Sequence, residues 1–193
     1  MSEYPYDLGA HSMPITTNSA DAQKWFDRAL NWLYAFHHEE AERCLNEILK
    51  ADPDCAMAHW GIAYLIGPNY NKPWFLFGPA ELKATLNRAR TSLTKAQSCK
   101  ATDVEKALIE ALAYRYPQYS EDVDLQSKAD KYANEMHKVY ERFPNNYDVT
   151  ALAVESMMDR TPWQMWDPTT GEVMEGADTL ECRTILEKAI DRV

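Results

Sequence analysis

What is scarce in this chain narrows its class before any motif is sought. Its 193 residues include only six glycines, and runs of β-branched residues are few, so a sheet-based fold has little to build on. Four cysteines (Cys44, Cys55, Cys99, Cys182) stand far apart with no C-x-x-C pair, and there is no N-x-S/T acceptor. That spacing argues against a disulfide framework or a zinc ribbon. No apolar run approaches the roughly 18 residues that cross a bilayer. The opening stretch MSEYPYDLGAHSMP has neither the basic start nor the apolar centre of a secretory signal. A reduced, cytoplasmic protein is the expectation. Basic residues are in the minority, twenty against thirty acids for a formal charge of -10, and they are scattered along the chain. Nucleic acid and anionic membrane are poor partners for such a field.

What is present is helical periodicity. Apolar residues recur at three- and four-residue steps over long stretches, which predicts an almost wholly helical protein. The spacing gives about eight helices: 20–36 entered through Asn18 and Ser19, 39–51, 56–66, 79–99 with Pro79 in its first turn, 103–116, 124–143, 148–159, and one from Asp178. Thr102 and Glu105 have the spacing of a capping box. Residues 1–19 read as an extended segment ahead of a helical domain over 20–193.

Helices arriving in pairs raise the question of a repeat. Trp25, Ala29, Trp32, Ala41, Leu45, Ile48 and Pro53 follow one another at steps of 4, 3, 9, 4, 3 and 5 residues. That pattern resembles the tetratricopeptide repeat (TPR): large residues fill the seam of a first helix, small ones let two helices approach, and proline ends the second. Arg28 departs from it, since an aliphatic residue usually precedes the small one. The segment AMAHWGIAYLIG repeats the phase 34 residues later. Each later unit is lengthened between its two helices, at 67–79, 117–124 and 161–176. In a solenoid such insertions project from one edge, often the binding edge. The expected architecture is therefore an all-α, TPR-like right-handed helical-hairpin solenoid of about four pairs, with inserted loops along one edge. With Cys182, Leu186 and Ala189 as packing positions of the last helix, the closing proline would fall beyond Val193, so a truncated array is expected.

The phrases DLGAHSMPITTNS, WFDRALNWLYAFHHEEA, DPDCAMAHWGIAYLIGPNYNKPW and DRTPWQMWDP also resemble a family of bacterial and fungal TPR-like proteins, over nearly the whole chain. The resemblance implies the fold, and a following His-rich repeat that this chain lacks; it implies no particular activity. At His37 the family more often has Asn, which leaves His38 the better candidate of that pair.

Two functional readings follow. In the first, the array is a scaffold that needs no cofactor and binds a protein or peptide, or its own missing repeats, with homo-oligomerisation as a further possibility. Phe26 and Tyr34, then Trp60 and Tyr64, would line the inner groove, and Asn69, Asn71, Trp74, Trp163 and Trp166 would offer ligand or partner contacts from the inserted loops. Large aromatics there must pack on something, since burying one contributes roughly 1.5 to 3 kcal/mol. In the alternative, the loops roof the pocket of a small-molecule or metal-dependent enzyme completed by a missing carboxyl-terminal half, with His11 and His38 as ligands for a divalent metal. His59 is expected to pack in the core and His137 to be solvated. No catalytic carboxylate can be singled out, and no phosphate loop or nucleophile triad is present.

Overall fold

Five helix starts among the described residues are fixed by side chains that satisfy the first free backbone N–H groups. The computed structural model describes residues 4–192, and eight α-helices carry the chain: α1 (Ala20–Tyr34), α2 (His38–Ala51), α3 (Ala56–Leu65), α4 (Pro79–Ser98), α5 (Asp103–Ala113), α6 (Leu125–Arg142), α7 (Tyr147–Met158) and α8 (Thr179–Ile190). Ser19, Asp124 and Asn146 each accept a backbone N–H from the first turn that follows. Thr102 and Glu105 form the reciprocal capping box. Gly78 precedes α4, whose first turn holds Pro79, a residue with no N–H to leave unsatisfied. Among the described residues there are no strands, only two isolated bridges, Asn69 with Lys72 and Trp166 with Val173. Among these residues no helix is long and apolar enough to cross a membrane. The protein is all-α.

Each helix packs on the one that follows it, and α3 also packs on both α1 and α5. One apolar core runs from α1 through α7, and a smaller one, built from Ala133, Val154, Met157, Cys182 and Ile185, joins α6, α7 and α8. On α8 Cys182 and Ala189 are buried as expected, but between them Ile185 is inside and Leu186, expected there, is 40% exposed.

Residues 4–19 lie back over the helices. Backbone groups of this segment meet one stripe of α1 in reverse order: the His11 carbonyl accepts from Asn31, the Met13 carbonyl accepts from Gln23, and the Ile15 N–H donates to Gln23. These partners, Gln23 and Asn31, stand eight residues apart, on one face of the helix. Thr16 then donates through both its N–H and its hydroxyl to the buried Glu105 carboxylate at the start of α5. At the other end, the Tyr4 hydroxyl donates to Glu40 and accepts from the Trp32 indole, and the Arg28 guanidinium lies over the Tyr4 and Trp25 rings. Arg28, the departure from the repeat pattern, thus serves the aromatic cluster that holds the segment.

That arrangement reverses an expectation about α1. Trp25 and Trp32, expected to fill the helical seam, are half-buried beneath Tyr4 and Tyr6. Phe26, Leu30 and Leu33, expected on the open side, are in the core.

Candidate functional site

The turn from α1 into α2 and the loop after α3 face each other across a cavity of about 160 Å³, closed on a third side by α7. Phe36 makes the first turn possible by adopting φ +58°, a conformation that costs an L-residue roughly 1–2 kcal/mol. His37 then caps α2, its Nδ1 accepting the Glu40 N–H at 3.4 Å. His38, the first residue of the helix, lines the cavity with Tyr34, Phe36 and Tyr64. Burial, with a smaller contribution from His37, lowers the pKa of His38 below its ordinary value, so the ring is neutral at pH 7.

Gly67 lets the loop leave α3 closely enough to close the cavity. A Cβ there would stand 2.0 Å from the Tyr116 hydroxyl, which itself donates to the Ala63 carbonyl at 2.6 Å. Arg115 donates to the Pro68 carbonyl and pins the same loop from below. Asn69 lines the cavity, and its Oδ1 accepts the N–H groups of Asn71 and Lys72 at 2.9 and 3.0 Å, which shapes the loop.

The chemical centre lies on α7. Glu155 lines the cavity, and its Oε2 is shielded from solvent with no hydrogen-bond partner among the described residues. One turn on, Asp159 accepts from the buried Arg115 guanidinium at 2.7 Å through Oδ2, while its Oδ1 is also unpartnered. Burial pushes the Glu155 carboxyl well above the ordinary carboxylate range, and Asp159 beside it adds to the shift. Burial also raises Asp159, against the pull of Arg115, to about 6. At the rim, the Tyr34 hydroxyl donates to Asp148 Oδ1 at 2.8 Å. Burial and that carboxylate raise the phenol well above its ordinary value. A carboxyl whose proton affinity is raised by burial and a neutral imidazole in one cavity can donate to, accept from, or exchange a proton with a small bound molecule.

The structure thus brings together four of the residues singled out from sequence, Tyr34, His38, Tyr64 and Asn69. Others lie elsewhere. Phe26 and Trp60, expected to face a partner, are 2% and 1% exposed; both faces of their helices are covered, and Trp60 stacks on Tyr64. Trp74 packs beneath its own loop against Phe77 and Tyr116. Asn71 is exposed on the turn. Trp163 and Trp166 are exposed, and Trp163 meets Phe75 edge to face, so the loops over 67–79 and 161–176 touch at their tips. The 117–124 loop reaches α4, where Lys83 lies over the Tyr119 ring.

His11 Nε2 lies 2.8 Å from Asp148 Oδ1, so one of its two ring nitrogens is engaged by that carboxylate. Among the described residues no group of three or more His, Cys, Asp or Glu is placed to hold a metal ion. His59 is half-buried and lies 2.9 Å from the Pro53 carbonyl, and His137 bridges α6 to Glu181 of α8.

Glu155, Asp159, Arg115 and Asp148 did not stand out in the sequence. A signal was present for one of them: Glu155 interrupts the run ALAVESMM, where residues on every side of the helix are apolar or small. An acid inside such a run has no solvated face to occupy. In comparisons with family models, curated proteins and solved structures, nothing matches this chain.

Proposed function

We propose that this chain is a TPR-like array of helical hairpins in which the turn from α1 into α2, the lengthened loop after α3 and helix α7 enclose a binding site for a small molecule. One observation carries the reading: the cavity between Tyr34, His38, Tyr64 and Asn69 is lined by Glu155, a buried acid whose Oε2 has no hydrogen-bond partner among the described residues. An unpaired buried acceptor costs roughly 1–3 kcal/mol, and a ligand that engages it recovers that cost. A largely apolar cavity with a few convergent polar groups and shifted pKa values is the usual form of a ligand site. Whether the bound molecule is also transformed depends on Glu155 and His38, which have the proton affinities for acid–base work.

The reading is tested by a ligand-observed NMR screen of fragments with fewer than about ten non-hydrogen atoms, the size class that a cavity near 150 Å³ admits. Hits are expected whose signals are lost with His38→Trp, which fills the cavity. No hit competing with that substitution would refute it.

A second reading, the scaffold, has its own observation. The stripe Gln23, Asp27, Asn31 of α1 holds the chain's own residues 11–15 through backbone and side-chain bonds, which is how helical repeats grip an extended peptide. A partner segment, including that of a second copy, would bind by displacing this arm. A labelled peptide with the sequence of residues 4–19, added to the intact protein, would show saturable binding under this reading and none without it.

A further inference from the structure

We infer that the cavity takes a small organic cation, an ammonium ion with an apolar body; the inference rests on the small-molecule reading above and names its ligand class. Three features of the site agree on this charge. First, two carboxylates, Glu155 and Asp159, are set one turn apart on α7, and the single guanidinium beside them, Arg115, is spent on Asp159 Oδ2 and the Pro68 carbonyl. One acid is left without a counter-charge. Second, no Lys or Arg lines the cavity, so no permanent protein cation is placed to supply it, and an anionic ligand would meet the Glu155 acid without a fixed positive charge to balance it. Third, the walls are ring faces and edges from Tyr34, Phe36, His38 and Tyr64, with Leu33 and Leu152 between them. Aromatic walls around one acidic group favour an ammonium over a neutral molecule of the same shape, through attraction of the cation to the rings and a charge-assisted bond to the Glu155 carboxylate, whose proton passes to solvent as the cation binds.

The remaining ionisable group at the rim, Asp148, is engaged by Tyr34 and His11 and adds negative field without competing for the ligand. The volume sets the ligand's size: a cavity near 150 Å³ holds a six-membered ring. Phe36, half exposed at the cavity edge in its left-handed conformation, is the side chain whose movement would admit it.

The test uses three molecules of one shape and different charge, cyclohexylammonium, cyclohexanol and cyclohexanecarboxylate, titrated into the full chain by calorimetry at pH 7, with Glu155→Gln as the variant. The expected result is that the ammonium binds about tenfold or more tighter than the alcohol, that the carboxylate does not bind, and that Glu155→Gln removes the preference for the cation. Because the charge series is read on the unaltered protein, it decides the matter even if Glu155→Gln fails to fold. Equal or tighter binding of the alcohol or the carboxylate overturns the cation while leaving the pocket standing. No binding of any of the three, with the protein folded, overturns the pocket and the cation together.

Discussion

His11 and Asp148 meet at 2.8 Å across 137 residues of chain, and the same carboxylate oxygen accepts the Tyr34 hydroxyl. This oxygen ties the amino-terminal segment, the end of α1 and the start of α7 together, beside the cavity those elements enclose. Asp148→Ala should therefore loosen all three at once. The expected loss is about 1–3 kcal/mol in denaturant melts, the cost of a buried hydroxyl left without its acceptor. Amide hydrogen exchange should quicken over residues 11–17. Unchanged protection there would mean that the segment is held by α1 and Glu105 alone.

Buried acids give this protein an unusual pH dependence. The Asp159 carboxyl titrates near 6 in the folded chain against an ordinary 3.8, and Glu155 is raised well above its own ordinary value. Between the unfolded and folded values the native state binds more protons, so stability falls as pH rises through that window. For Asp159 the window runs from about pH 3.8 to about 6; for Glu155 it begins at the ordinary carboxylate range and extends higher. Glu155→Gln should leave stability near pH 4 almost unaltered and raise it at pH 8. A destabilisation at pH 8 would show that the ionised carboxylate has a partner in the folded protein.

The Arg115–Asp159 pair is buried on both sides. Arg115→Met should cost about 3–5 kcal/mol, the usual penalty for leaving one member of a buried pair alone, and it also releases the Pro68 carbonyl. Adding Asp159→Asn should recover part of the loss. Purely additive effects in this double-mutant cycle would contradict direct coupling of the two side chains.

Gly67→Ala would place a methyl 2.0 Å from the Tyr116 hydroxyl, and an overpacked site typically costs about 1–3 kcal/mol. In a Tyr116→Phe background the nearest remaining atom stands at 3.0 Å, so the added cost of the alanine should shrink. An equal cost in both backgrounds would place the strain in the backbone.

Phe36 sits in the left-handed region while half exposed. Phe36→Gly relieves roughly 1 kcal/mol of backbone strain and loses little burial. Thermal stability should hold or rise, while affinity for a cavity ligand falls with one aromatic wall gone. A marked drop in melting temperature would show that the ring packs more firmly than its exposure indicates.

The helices were legible because their signals are local. Ser19, Thr102 and Pro79 mark starts within a few residues of themselves, and apolar spacing needs one turn or two. His38 and Asn69 were legible together because the turns after α1 and α3 were expected on one edge; Tyr34 and Tyr64, expected in an inner groove, line the same cavity. The carboxylates of α7 were not. An acid in a helix reads as a solvated charge until the elements packed on it are known, and Glu155 becomes unusual only when α1, α2 and the loop after α3 close over α7. The burial of Phe26 and Trp60 was hidden for the same reason: which face of a helix is covered depends on contacts between distant segments, such as Thr16 with Glu105, 89 residues apart, which follow no period.

The central claim is that the space in front of Glu155 is a ligand site. A crystal structure of the protein grown with cyclohexylammonium tests it most directly. The account predicts the ring between Tyr64 and Phe36, with its nitrogen at about 2.7–3.0 Å from a Glu155 carboxylate oxygen. A cavity filled by the protein's own side chains, with the amine absent or bound elsewhere, would contradict it.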